Sequence, residues 1–225
     1  MFQHAPSFLR MKSPTQREAR LLCYFPNYES YPDYFKKRNI SLFPIANGRY
    51  ILLVGVRMFV ELPENLNANE KHIETFKTVL DSVSESKSEQ AHISTLAANG
   101  IINKYFDNAP YNFVYIGRQY SKKRVIKFAN SCQVETGGVQ YETDAIFESD
   151  TEILLFEIKT EPQNTINIRQ LIYSYLENTA RTIKKVTPVV MVIGPEGRYN
   201  FYIFEVSENP LNFMCVKRFQ ITIAK

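Results

Sequence analysis

Thr143-Asp144-Ala145-Ile146-Phe147-Glu148-Ser149-Asp150-Thr151-Glu152-Ile153-Leu154-Leu155-Phe156-Glu157-Ile158-Lys159 contains two apolar, strand-prone runs around a short polar turn, and it predicts a β-hairpin. The second run is apolar on both faces through Phe156, as expected of a strand at the centre of a sheet. It then places Glu157 and Lys159 at i and i+2, so both project from one face. Charges at the end of a buried strand are costly unless they are paired or bind a metal. Asp144 opens the partner strand, and a hairpin closed through Ser149-Asp150 sets it opposite them. Two carboxylates and one ammonium are expected to converge on a point.

That set suffices for phosphodiester hydrolysis. Asp144, Glu157 and the Ile158 carbonyl supply hard oxygen ligands for Mg2+, which uses few protein ligands and keeps several waters; Mn2+ is expected to substitute. Lys159 can hold or help deprotonate the attacking water and offset negative charge near the phosphate. A metal there supplies Lewis acidity and a nucleophilic water near neutral pH. A structural Asp144–Lys159 salt bridge is the competing reading. Context carries the signal, because Glu85-Ser86-Lys87 repeats the Glu-x-Lys spacing with no hydrophobic strand before it. Glu135 and Glu142 are further candidate ligands, whereas Asp150, Glu152 and Glu161 read as solvated turn charges.

Beyond the hairpin a helix is expected from about 165 to 184, with Ile168, Leu171, Ile172, Tyr175 and Leu176 forming its buried stripe. Gln170 and Tyr173 sit beside that stripe, and Gln170 either faces the catalytic point or is an exposed helix glutamine. Arg169, Arg181, Lys184 and Lys185 read as phosphate contacts or as solvated helix charges. Strands are expected at 111–117, 139–148, 152–159, 187–193, 199–206 and 212–222, with Gly194-Pro195-Glu196-Gly197 as a hairpin turn.

Toward the N-terminus, prolines at 6, 14, 26, 32 and 44 leave residues 1–47 with short helices and loops. Residues 49–61 read as one long strand. The spacing of Ile73, Phe76, Leu80 and Val83 predicts a helix over 69–83, and a second helix follows at 89–98, stopped by Asn99-Gly100. The fold class expected is α/β, in the form of an α+β mixed sheet flanked by helices. A boundary near residue 107 divides an N-terminal α/β region, 1–107, from a core at 108–225.

The 225 residues, 44% hydrophobic, can bury a sizeable core. No apolar run is long enough to span a bilayer and no signal peptide is recognisable, so a cytoplasmic protein without membrane contact is expected. Cys23, Cys132 and Cys215 have no metal-like spacing, and His4, His72 and His92 form no ligand pair. The net charge of +4 fits an anionic partner without requiring one. Arg118, Lys122, Lys123, Arg124 and Lys127 cluster around Tyr120 and Phe128, either as a DNA-contacting stretch or as a solvated turn. Phosphate loops, dinucleotide fingerprints and nucleophile elbows are absent.

Asp144, the Glu157-Ile158-Lys159 triplet and the helix behind them resemble the PD-(D/E)xK nuclease superfamily. GGVQYETDAIFE, LLFEIKTE and NINIRQLIYSYLE are similar to a type II restriction endonuclease-like group, over about residues 112–178, with a weaker echo in LFPIANGRYIL and AANGIINKYF. The resemblance implies a restriction-endonuclease-like core and Mg2+-dependent cleavage of double-stranded DNA at a short specific sequence, usually by a homodimer. It makes Asp144 and Glu157 the metal-binding acids, Lys159 the lysine and Gln170 an accessory site residue. Two positions depart from its pattern: Thr143 replaces a proline before the aspartate, and Ser174 replaces a proline often found after the helix tyrosine. Weak DNA-binding candidates are Arg118, Lys122, Lys123, Arg124 and Arg169. The alternatives are a structure-specific or repair nuclease of the same superfamily, and a catalytically inactive DNA-binding module.

Overall fold

Strand-forming segments dominate the second half of the chain, and the computed structural model, which describes residues 23–64, 66, 70–75 and 88–224, gathers most of them into one sheet. In chain order the elements are α1 (Asp33–Lys37), β1 (Ile40–Ala46), β2 (Arg49–Val54), β3 (Phe59–Glu61), β4 (Glu70–Thr75), α2 (Glu89–Ala98), α3 (Ile101–Tyr105), β5 (Asn112–Tyr120), β6 (Arg124–Lys127), β7 (Gln133–Thr136), β8 (Gln140–Glu148), β9 (Glu152–Lys159), β10 (Thr165–Asn167), α4 (Arg169–Thr179), β11 (Lys185–Gly194), β12 (Arg198–Glu208) and β13 (Leu211–Ala224). Seven strands form a sheet in the order β4-β13-β12-β11-β9-β8-β5. The β9–β11 and β13–β4 pairs are parallel and the other four are antiparallel, so the fold is mixed α+β with a large mixed sheet and few helices.

Each face of the sheet carries its own core, as the alternation along β9 dictates. Ile153 and Leu155 pack with Leu171, Ile172, Tyr173 and Tyr175 of α4 and with residues from the β1–β2 and β6–β7 hairpins. Leu154, Phe156 and Ile158 face the other way, toward Ile93 and Leu96 of α2 and Ile101 and Ile102 of α3. β9 is therefore buried on both sides, and the connection through α4 lets β11 lie parallel beside it.

The expected hairpins and strands of the second half are present, and α2 spans the predicted 89–98 with Gly100 left-handed at φ 71° after it. Several expectations are corrected. Residues 70–75, assigned to a helix over 69–83, form strand β4 along β13; residue 69 and residues 76–83 lie outside the described residues. The helical spacing had no buried face to serve there, since Ile73 is exposed, and pairing with the sheet edge decided the conformation instead. The single strand over 49–61 is broken at Gly55, whose φ of 76° turns the chain between β2 and β3. Within the supposedly irregular 1–47, of which 1–22 lie outside the described residues, Ile40–Ala46 forms β1 with an irregularity beside Pro44, which a two-stranded ribbon tolerates. The helix expected at 165–184 is shorter at both ends. Residues 165–167 pair with β3, and near its end Asn178 and Thr179 side chains bond back to the carbonyls of Ser174 and Tyr175.

Phe156 packs edge-on against Phe106 and Phe147 at centroid distances of 5.8 and 5.4 Å and is 1% exposed. A Phe156→Ala variant is expected to lose about 3–5 kcal/mol of stability, measured as a lower urea midpoint with an unchanged slope.

Candidate active site

The sheet is irregular at Asp144. The β8–β9 ladder runs from Glu148↔Ile153 to Ala145↔Phe156 and stops, while on the other side β8 shifts register against β5 between Tyr115 and Gly117. The side-chain alternation changes across this point: Tyr141 and Ile146 belong to the α4 core, and Ala145 and Phe147 to the α2–α3 core. With the ladder interrupted, the carboxylate takes over the acceptor role of the backbone. Asp144 Oδ2 accepts the Ile158 amide hydrogen at 2.7 Å.

Next to Ile158 on β9, Glu157 is 5% exposed, and its Oε1 accepts hydrogen bonds from Lys159 Nζ and from Gln170 Nε2, each at 2.5 Å. Gln170 lies in the first turn of α4, and its Oε1 is buried with no hydrogen-bond partner among the described residues. The structure thus brings Asp144, Glu157, Lys159 and Gln170 together. Ile158 contributes only its main chain, because its side chain is fully buried on the opposite face. The ion pair formed is Lys159–Glu157, in place of the Asp144–Lys159 bridge considered from the sequence.

Burial raises the Asp144 carboxyl to about 8, and the nearby Glu157 charge pushes in the same direction, against the Ile158 N–H bond and Lys159. Burial works against the Lys159 ammonium too, but Glu157 more than compensates and Lys159 is held above the ordinary lysine range. With every carboxyl ionised the pocket would carry more negative charge than Lys159 neutralises, and Asp144 holds its proton instead. Part of the excess comes from Glu89, the first residue of α2, which is itself raised by burial and senses Lys159, Glu157 and Glu142. Glu89 is a site residue that the sequence reading missed. An acid in the first turn of a helix is already explained by the helix dipole, so nothing in the sequence marked it.

The two departures from the nuclease pattern meet each other. Thr143 Oγ1 and Ser174 Oγ share a buried hydrogen bond of 2.7 Å, tying β8 to α4 one turn beyond Gln170. Tyr173, expected beside the apolar stripe, is fully buried and donates to the Pro44 carbonyl.

The other candidates are placed elsewhere. Arg118 pairs with Glu142 at 3.4 Å on the exposed surface of β5 and β8. Arg124 is bound at 2.6 Å to the fully buried Glu177 and also donates to the Leu176 carbonyl, so it anchors the β6–β7 hairpin to the end of α4. Lys122 and Lys123 are exposed. Arg169 donates to the Cys23 carbonyl at 2.7 Å and lies by the rings of Tyr24 and Tyr50, both 5.9 Å from its guanidinium. Arg181 meets Gln119, and Lys184 and Lys185 pair with Glu148 and Glu152. Glu135 lies on β7 opposite Val125 in the β6–β7 hairpin. Glu152 is not a solvated turn charge: it is 5% exposed and accepts from Thr187, Tyr111 and Asn108, which together with Lys185 overcome the effect of burial and lower its pKa.

Among the described residues no group of three or more His, Cys, Asp or Glu side chains forms a metal cage. A Mg2+ site needs less, because that ion binds through one or two carboxylates and retains waters. The donors present, Asp144, Glu157 and the Ile158 carbonyl, are hard oxygens, and a dication would take the place of the proton that Asp144 holds. All three cysteines are free, and no helix among the described residues is long and apolar enough to cross a membrane.

Residues 55–220 match the family model described as "Domain of unknown function (DUF6997)", and the chain belongs to that family. Residues 9–52 match a second model, "Domain of unknown function (DUF6996)". No curated protein and no solved structure matches the chain.

Between the ordinary aspartate pKa near 4 and about 8 the folded protein holds a proton on Asp144 that the unfolded chain releases. Stability contributed by this group is therefore complete below that window, falls as pH rises through it, and is flat above about 8. In metal-free buffer Asp144→Asn is expected to exceed the wild type in stability by about 1–3 kcal/mol at pH 9 and to converge with it at pH 4. Denaturant titrations at the two pH values measure the difference.

Proposed function

We propose that this protein is a Mg2+-dependent endodeoxyribonuclease with a restriction-endonuclease-like core, cutting double-stranded DNA at a short specific sequence. The observation that carries the reading is the convergence of Asp144, Glu157, Lys159 and Gln170 at the break in the β8–β9 ladder. Each group is held by hydrogen bonds, and the site has one carboxyl more than its single lysine can neutralise. The resemblance of this segment to PD-(D/E)xK nucleases and the mixed sheet with α4 packed behind the site support it.

In this reading Asp144, Glu157 and the Ile158 carbonyl hold the metal, which when bound supplies Lewis acidity and lowers the pKa of a coordinated water. Mn2+ is expected to replace Mg2+. Lys159, kept protonated beside Glu157, places positive charge where the phosphate gains negative charge on attack. Gln170 restrains Glu157 through its amide N–H, and its unpartnered Oε1 can accept a hydrogen bond from the attacking water. Glu89 adds a carboxylate from the α2 side and strengthens the preference for a cation. A palindromic target would be served by a homodimer.

Purified protein incubated with unmethylated plasmid or phage DNA is expected to give discrete fragments with Mg2+ and none with EDTA. Lys159→Ala is expected to be slower by about 100-fold or more, the scale of a positioned charge-stabilising or proton-handling group. Smears produced equally by the variant would count against the reading. Mg2+-dependent cutting confined to branched DNA would replace sequence specificity with structure specificity.

A further inference from the structure

Residues 23–28 lie along the segment that leads into α4. The Cys23 carbonyl accepts from Arg169, the Phe25 carbonyl from Asn167 Nδ2 at 3.5 Å, and the Tyr28 amide donates to Thr165 Oγ1 at 2.9 Å. Tyr24 therefore reaches the edge of the site from outside the residues that match the 55–220 family model. Its ring rests against Arg169, the neighbour of Gln170, and its hydroxyl is near enough to Lys159 for the two to interact electrostatically. The side chain is 46% exposed, and its hydroxyl makes no hydrogen bond among the described residues.

Arg169 supplies a second, independent observation. It is half-buried, held by a carbonyl and near two aromatic rings, and forms no ion pair with a carboxylate among the described residues. A half-buried guanidinium that has given up water without gaining a counter-ion is disfavoured, and an anion brought alongside would offset that cost. With the Lys159 and Arg169 cations both near it, the phenol O–H, unbonded among the described residues, has a phosphodiester oxygen as a fitting acceptor. Tyrosine hydroxyls are ordinary donors to DNA backbone phosphates.

We propose that Tyr24 is a substrate-positioning residue whose phenol donates a hydrogen bond to a backbone phosphate of DNA lying in the site, with Arg169 fixing its ring. The inference rests on the nuclease reading above and adds that the segment matching the 9–52 model completes a site otherwise built within residues 55–220. Tyr24 holds the strand in register, while Asp144, Glu157 and Lys159 act on the bond that breaks.

The test uses the 225-residue chain and a duplex DNA that the wild type cuts, comparing wild type, Tyr24→Phe and Tyr24→Ala in steady-state cleavage. A fluorescence-anisotropy titration of the same duplex in Ca2+ buffer with Lys159→Ala, with and without Tyr24→Phe, runs alongside. Tyr24→Phe removes only the hydroxyl and is expected to raise KM about 5- to 10-fold, the scale of one hydrogen bond to a charged acceptor, with kcat within about 2-fold and Tm unchanged. Tyr24→Ala is expected to exceed that effect, and the anisotropy Kd to weaken by the same factor as KM. A Tyr24→Phe enzyme with wild-type KM and Kd overturns the role of Tyr24 and leaves the nuclease reading intact. A wild type that neither cuts nor binds duplex DNA overturns the nuclease reading and this inference with it.

Discussion

The hydrogen bond from the Ile158 amide to the Asp144 carboxylate fixes the arrangement of the site. An antiparallel ladder continued past Ala145↔Phe156 would satisfy that N–H with a backbone carbonyl and leave the Asp144 side chain free to turn outward. Because β8 breaks register there, the carboxylate must serve as acceptor, and it is held at the end of β9 in a largely buried position. The bond favours the charged form but does not overcome burial and the adjacent Glu157, so the acid remains strained toward protonation. A cation placed between the carboxylates would relieve both costs, which connects a local defect in sheet pairing to the chemistry proposed for the site.

The same constraint demands accurate placement of α4. Glu157 faces that helix, and its amide partner Gln170 reaches it only if the helix keeps its position against β8 and β9. Two buried contacts fix it. The Thr143–Ser174 bond sits one turn along from Gln170, and the Arg124–Glu177 pair holds the far end. Either contact would be a weak stabiliser in net terms, since buried polar groups exchange good hydration for good partners. Their effect is specificity of position. Two small hydroxyl side chains, Thr143 and Ser174, supply one of those links by a direct bond.

Much of the second half was legible because its strands announce themselves. β8, β9 and the turn between them follow from alternation and polarity alone, and the grouping of Asp144, Glu157 and Lys159 follows from the hairpin. What escaped notice depends on contacts remote in sequence. β4 has helical spacing in isolation and becomes a strand because β13 offers an edge. Glu152 has the composition of a turn residue, but Tyr111 and Asn108, distant in the chain, fold over it. Glu89 reaches the site only because α2 covers the opposite face of the sheet, and Arg169 turns toward Cys23 only because the N-terminal segment lies against β10. Short-range pattern carries no information about such meetings.

That last contact changes the roles assigned to the cations. A run such as residues 118–127 invites reading as a DNA-contacting stretch, yet its two arginines are already engaged by Glu142 and Glu177. The cations near the site among the described residues include Lys159, coupled to Glu157, and Arg169, which there has aromatic and carbonyl neighbours and no carboxylate. A guanidinium beside aromatic rings keeps its charge while giving up water, so its field extends toward whatever approaches Tyr24. In the proposed reading, proximity to the scissile phosphate, more than density of positive charge along the chain, would determine which cations matter, and it would give the N-terminal segment its role at the point where it meets the residues leading into α4.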